Sequence, residues 1–148
     1  MEPNFPAARS VLGNAYLQQG FYKQAMAEYQ KVLELSKGAA IVETAMKAII
    51  AHAHAKFGKR SKAERLLNEL MRLSKTRDQS SPAFDVSPHS IAEIYSALGQ
   101  KEKAFEWLNK AFEQRDMQMV SLKVNPTLDP LRDDRRFTEL MRRVGLPH

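Results

Sequence analysis

The stretch LGNAYLQQGFYKQA, residues 12–25, decides the fold because its pattern returns twice along the chain. In each copy a glycine is followed five residues later by an alanine, and the pairs are Gly20 with Ala25, Gly58 with Ala63, and Gly99 with Ala104. A ring side chain stands four residues before each glycine, and these residues are Tyr16, His54 and Tyr95. Self-similarity at a nearly constant period indicates an internal structural repeat.

The residue types in this pattern predict a pair of helices in each copy. Glycine suits the left-handed turn that ends a first helix, and alanine lets a second helix approach that first helix closely. Large residues then recur four and seven positions after the alanine, as at Tyr29 and Val32, which predicts one buried helix face. We expect helices at about 7–19 and 22–35, 40–57 and 61–74, and 88–98 and 101–114.

The first copy also contains Leu12, Gly13 and Tyr16 at the spacing of an L-G-x-x-Y signature, so the chain resembles the tetratricopeptide repeat family. The resemblance implies an all-α, right-handed superhelical solenoid of three helix-turn-helix pairs with a C-terminal capping segment. We expect one domain over 1–148. Its parts are repeat one at about 6–38, repeat two at about 39–77, a loop at 78–86, repeat three at about 87–116, and a capping tail at 117–148.

The tail after residue 116 leaves the repeat register. Its residues Phe137, Leu140, Met141 and Val144 fall on one helix face, and Asp129 with Pro130 is typical of a helix start. The string LDPLRDDRRF at 128–137 resembles the tail of bacterial multidomain regulators, in which tetratricopeptide arrays follow a winged-helix or protein-kinase domain. We expect this tail to cover the open edge of the third copy, because a terminal repeat needs such a cap.

The amino-acid composition and the absence of several motifs limit which classes of function are expected. The 148 residues contain no cysteine, which excludes disulfides and a cysteine nucleophile in this chain and fits a cytoplasmic protein. No secretory signal, membrane span, phosphate-binding loop or paired metal-ligating histidines can be read from the sequence. We therefore expect no enzyme, no cofactor, no metal and no membrane contact.

The resemblance implies that the first helix of each copy lines a concave groove. Carried onto this chain, the groove positions with hydrogen-bonding side chains are Asn14, Gln18, His52, Lys56, His89 and Glu93. We expect a non-catalytic module that binds a peptide or a partner helix of unknown identity there. His54, at the ring position, is expected in the core.

Two alternatives stay open at this stage. The first helix has an apolar set that predicts self-association as a homodimer, or docking in a longer array: Val11, Leu12, Tyr16 and Leu17. The net charge of +6 is concentrated around the second helix pair, whose basic patch comprises Lys59, Arg60, Lys62, Arg65 and Arg72. Such a patch suits an acidic partner or nucleic acid. Single-strand binding is disfavoured because no stacking aromatics are interleaved with the basic residues.

Overall fold

A computed structural model describes residues 5–75 and 86–146 of the chain. These residues form the α-helices α1 (Pro6–Gln18), α2 (Tyr22–Leu35), α3 (Ala40–Lys56), α4 (Arg60–Lys75), α5 (Pro88–Ala97), α6 (Lys101–Glu113) and α7 (Arg135–Val144). Two 3₁₀-helices, Met117–Ser121 and Pro126–Leu131, lie between α6 and α7. The described residues contain no β-strand, so the all-α prediction is confirmed. The chain divides into two compact units, Met1–Asp85 and Val86–His148.

The three glycine turns have one geometry. Gly20, Gly58 and Gly99 have φ of +85°, +72° and +75°, in the left-handed region that the sequence predicted for them. The residue after each glycine donates its backbone N–H to the carbonyl of the ring residue, at 2.8 Å, 2.8 Å and 2.9 Å in chain order. This bond satisfies a carbonyl that the end of the helix leaves open.

Small residues sit where the paired helices meet. Ala25, Ala63 and Ala104 are each 0% exposed, in agreement with the predicted close approach. A Cβ added at Gly13 would lie 2.5 Å from Cε1 of Tyr29, so the ring occupies the space that glycine leaves. The core of the first unit comprises Leu17, Ala25, Tyr29, Val32, Met46, Ile50 and Ala53. The repeat pattern therefore predicts how each pair packs.

The copies differ in the length of their first helix and in how that helix starts. The helix α3 has 17 residues and α1 has 13, so the second copy has the longer first helix of the two. Pro88 starts α5, and Oγ of Ser87 caps this helix by accepting the backbone N–H of Ser90 at 3.4 Å. The greater part of the predicted loop, 78–85, lies outside the described residues.

The start of the tail helix differs from its prediction. Asp129 and Pro130 lie inside the second 3₁₀-helix, which begins after Asn125 because that side chain accepts the backbone N–H of Thr127 at 3.0 Å. The helix α7 starts five residues later than expected, after Asp134, whose carboxylate accepts the backbone N–H of Arg136 at 3.0 Å. The tail buries Leu122, Leu128, Leu131, Phe137 and Leu140.

Candidate partner-binding faces

The helix α7 covers one side of α6 through contacts seven residues apart on both helices. The guanidinium of Arg136 lies 4.3 Å from the ring centre of Phe105 and donates to Glu102 at 2.7 Å. One heptad further, Arg143 lies 4.3 Å from the ring centre of Phe112 and donates to Asn109 at 2.8 Å. Cations over aromatic faces and matched donors hold the two helices in one register.

Arg136 also fixes the start of α7. Its side chain donates to the carboxylate of Asp134 at 3.0 Å and 2.8 Å. This hydrogen bonding, with that from the backbone N–H of Arg136, lowers the pKa of Asp134 to about 2. The Asp134 carboxylate is therefore ionised at neutral pH and suited to its place at a helix N-terminus.

A polar cluster joins α5 to the second 3₁₀-helix. His89, Glu93 and Ser96 stand four and three residues apart on α5, so they share one side of the helix, which we call the α5 face. One Glu93 oxygen, Oε1, accepts from the Asn125 amide at 2.5 Å and from the Thr127 hydroxyl at 3.0 Å. The Ser96 hydroxyl donates to the Thr127 carbonyl at 3.2 Å. The chain's own tail therefore lies on the α5 face.

This arrangement corrects the sequence-based expectation for the third copy. His89 is 0% exposed, so its side chain is closed to a ligand. Its backbone N–H donates to Asp116 at 3.3 Å, and its Nδ1 lies 3.6 Å from Oε1 of Glu93. Glu93, predicted to contact a ligand, contacts the tail instead. Sequence reasoning missed Asn125 and Thr127 because nothing in the repeat register points to a tail segment.

The first unit keeps its corresponding positions more open. Asn14 and Gln18 on α1 stand 38 residues before His52 and Lys56 on α3, the same interval that separates their turn glycines. The two helices are neighbours, since the Ser10 hydroxyl lies 3.8 Å from the Met46 sulfur. Three of the four residues are exposed, and we call Asn14, Gln18 and Lys56 the first-unit face. His52 is 9% exposed and is therefore largely closed to a ligand, contrary to expectation.

One residue of the first-unit face is already oriented by the core. The Tyr29 hydroxyl donates to Oδ1 of Asn14 at 2.7 Å. Burial raises the pKa of Tyr29 to about 12, so this hydroxyl remains a donor across the physiological range. The bond fixes the Asn14 side chain and leaves its amide nitrogen as the group that can donate to a ligand.

The apolar set predicted on α1 divides between two sides of that helix. Val11 is 67% exposed and Leu12 is 43% exposed, while Tyr16 is half-buried and packs edge-on against Phe21. Leu17 is 6% exposed and belongs to the core of the first unit. Its assignment to an association surface is therefore wrong, because the helix turns this side chain toward α2 and α3. The outer side comprises Val11 and Leu12.

The basic patch is exposed along α4 and the turn before it. All five residues are exposed: Lys59, Arg60, Lys62, Arg65 and Arg72. Arg60 donates to Glu64 at 2.8 Å. His54 lies in the core as predicted, with its Nδ1 2.7 Å from the Tyr22 hydroxyl. Burial lowers the pKa of His54, and the charges of Lys62 and Lys59 lower it further.

Within 5–75 and 86–146, no three His, Cys, Asp or Glu side chains are grouped so that they could hold a metal ion. None of the helices described there is both long enough and apolar enough to cross a membrane.

Comparison with known families bears on the first and third copies. Residues 6–39 match a profile described as tetratricopeptide repeat, and residues 89–115 match a second profile of the same description. These two matches support a tetratricopeptide repeat family. Such repeats generally mediate protein–protein interactions, and the family is typically a non-catalytic scaffold. No curated protein and no solved structure matches the chain. The resemblance of the tail to bacterial multidomain regulators stays a prediction.

Proposed function

We propose that this chain is a non-catalytic protein-interaction module that binds a peptide or a partner helix on the first-unit face. The observation that supports this most is the exposure of Asn14, Gln18 and Lys56 at repeat-equivalent positions of two neighbouring helices. The amide and ammonium groups of these side chains offer several hydrogen-bond donors. A ligand with exposed carbonyl or carboxylate oxygens is therefore complementary to this face.

One neighbouring residue leaves room for such a ligand. Ala45 on α3 is exposed and has only a methyl side chain, whereas Ala48 and Ala55 on the same helix are buried. Small side chains let a peptide backbone approach the helices, as bulky residues would not. The orientation of Asn14 by Tyr29 lowers the entropy that this side chain loses on binding.

The test is a selection of binders followed by matched variants. A random peptide library is selected on the full chain, and the dissociation constants of the enriched peptides are measured by fluorescence anisotropy. The Gln18→Ala/Lys56→Ala variant should bind them at least about tenfold more weakly, the loss of a net hydrogen bond or two. The Arg65→Ala/Arg72→Ala control removes two exposed charges on α4 and should change binding little at physiological salt. If the Arg65→Ala/Arg72→Ala variant instead bound the peptides more weakly than the Gln18→Ala/Lys56→Ala variant, the binding site would be the basic patch.

A second candidate function is self-association through the outer side of α1. Leu12 is 43% exposed, whereas its repeat equivalent in α3, Ile50, is 8% exposed because it packs in the core against α2. Val11 likewise corresponds to Ile49, which packs partly buried against the same core. A helix of similar apolar character, supplied by a second copy, would cover α1 as α2 covers α3.

This candidate is tested by molar mass. Light scattering over a concentration series should give a dimer that the Val11→Lys/Leu12→Lys variant returns to a monomer. The Gln30→Lys variant, at an exposed position of α2, serves as the charge control and should keep the dimer. A monomer at all concentrations of the wild-type chain would contradict self-association and leave the first-unit face unaffected.

A further inference from the structure

We propose that the α5 face is a second peptide-binding face, which the chain's own segment Asn125–Leu128 occupies and which a partner segment of the same chemistry can take over. The inference rests on the proposed function in one respect, namely that these helix faces bind peptide segments. It assigns a site, an internal occupant and a ligand class within the second unit, and this site does not include Asn14, Gln18 or Lys56.

The contacts of the tail define what the α5 face recognises. A single carboxylate oxygen of Glu93 accepts an amide N–H from Asn125 and a hydroxyl two residues later, from Thr127. Ser96 donates to the backbone carbonyl of Thr127, a contact that any residue at this place would offer. Leu128 follows and is 0% exposed. The face therefore selects a segment with an amide side chain, a hydroxyl two residues on, and a leucine after it.

The tail leaves part of the α5 face unsatisfied. Both ring nitrogens of His89 are buried without a hydrogen-bond partner among the described residues. The Glu93 oxygen at 3.6 Å from Nδ1 is too far for a hydrogen bond. A buried polar group without a partner weakens the state that contains it. A partner segment that supplied a polar group to one of these nitrogens would remove this cost.

The rest of the tail is anchored separately, so exchange needs only a local opening. Leu122 before the segment is 0% exposed, and Phe137 and Leu140 on α7 after it are 1% and 2% exposed. The helix α7 is held on α6 by Arg136 and Arg143. Release of Asn125–Leu128 thus leaves these anchors in place. Because the internal segment is tethered, it competes at a high effective concentration, and a free peptide binds the wild-type chain only weakly.

The experiment uses a fluorescent peptide with the sequence of residues 124–130, VNPTLDP, and the full chain. Its dissociation constant is measured for the wild type and for Asn125→Ala/Thr127→Val, which removes the side-chain hydrogen bonds of the internal segment to Glu93. The variant should bind the peptide at least about tenfold more tightly, because the internal competitor is weakened. Adding Glu93→Gln to that variant should weaken binding again at least about tenfold, because the shared acceptor loses its charge.

Two controls make the test specific. The Asp133→Ala variant changes an exposed tail residue outside the segment and should bind the peptide as weakly as the wild type. A peptide with alanine in place of its asparagine and threonine should bind none of the chains. Circular dichroism checks that each variant is folded, and if the double variant is not, the single Thr127→Val variant takes its place.

The proposal is overturned if the loosened, folded variant binds no peptide, or if its affinity is the same with and without Glu93→Gln. Neither result bears on the proposal for the first-unit face, because Gln18 and Lys56 are intact in every chain of this titration. Conversely, loss of library binders in the Gln18→Ala/Lys56→Ala variant says nothing about the α5 face. The two proposals can therefore fail separately.

Discussion

The first helices of copies one and three have the same place in the repeat but different surroundings. On α1 the residues Val11 and Leu12 are exposed, and Asn14 is open to solvent. On α5 the residues His89 and Ser96 are buried, and Glu93 is bonded to the tail. The repeat pattern governs which helices pair. A segment outside the repeat governs which faces of the paired helices remain free.

The largest expected effect is a loss of stability in the second unit, where the tail covers the repeat helices. Phe137 is 1% exposed, so Phe137→Ala should lower the free energy of unfolding by about 3–5 kcal/mol through lost burial and a cavity. Urea unfolding followed by circular dichroism measures the change. The control is Val11→Ala, which shortens a 67% exposed side chain and should stay within about 0.5 kcal/mol of the wild type. A stable Phe137→Ala protein would show that the tail is not part of the fold.

Leu12 and Leu17 form a matched pair that tests which side of α1 faces the core. Leu17→Ala should lower the free energy of unfolding by about 2–5 kcal/mol because Leu17 is 6% exposed and belongs to the core. Leu12→Ala, in the same helix with the same change, should cost well under half of that in the monomer, since Leu12 is 43% exposed. Equal losses at a concentration where the chain is monomeric would contradict this assignment of the helix sides.

Overpacking should affect both regions alike, because the close approach belongs to the repeat. Ala25→Leu in the first unit and Ala104→Leu in the second should each cost about 1–3 kcal/mol, since both alanines are 0% exposed between paired helices. Ala27→Leu, at an exposed position of α2, is the control and should leave the thermal midpoint nearly unchanged. A midpoint for Ala104→Leu as high as that of the control would refute the helix contact in the third copy.

The smallest expected effect is a pH dependence of the first unit. Burial and nearby lysines lower the pKa of His54 below its ordinary 6.5, so the folded state favours the neutral ring. The stabilisation is complete above about pH 6.5 and decreases as the pH falls, because the unfolded chain then binds the proton first. Between about pH 6.5 and 5 the thermal midpoint of the wild type should fall. The window lies above the ordinary glutamate pKa of 4.5, so carboxylates contribute little.

The control for this prediction is His54→Gln, which keeps a hydrogen-bonding group beside the Tyr22 hydroxyl and does not titrate. Its thermal midpoint should depend less on pH over the same window. The equivalent residues of the other copies, Tyr16 and Tyr95, have no imidazole ring, so the effect belongs to the second copy. An identical pH profile in wild type and variant would assign the dependence to another group.

The sequence predicted the helices, their pairing and their turns because these depend on local chemistry. A left-handed glycine, a close-approach alanine and the Ser87 cap act within a few residues, and their periodicity makes each copy support the interpretation of the others. It did not predict that Leu17 faces the core, because a helix with apolar residues at adjacent positions has no single apolar side. Nor did it predict the burial of His52 and His89.

What the amino-acid sequence determined by itself is an all-α chain of paired helices with a separate tail helix. Only the tertiary structure decided where the tail lies, because Asn125 and Thr127 reach Glu93 across more than thirty residues of chain. Nothing in their own neighbourhood distinguishes them from an ordinary helix-capping turn, which they also form. Contacts at that separation depend on the packing of Leu128 and Leu131, and this packing decides which helix face stays open to a partner.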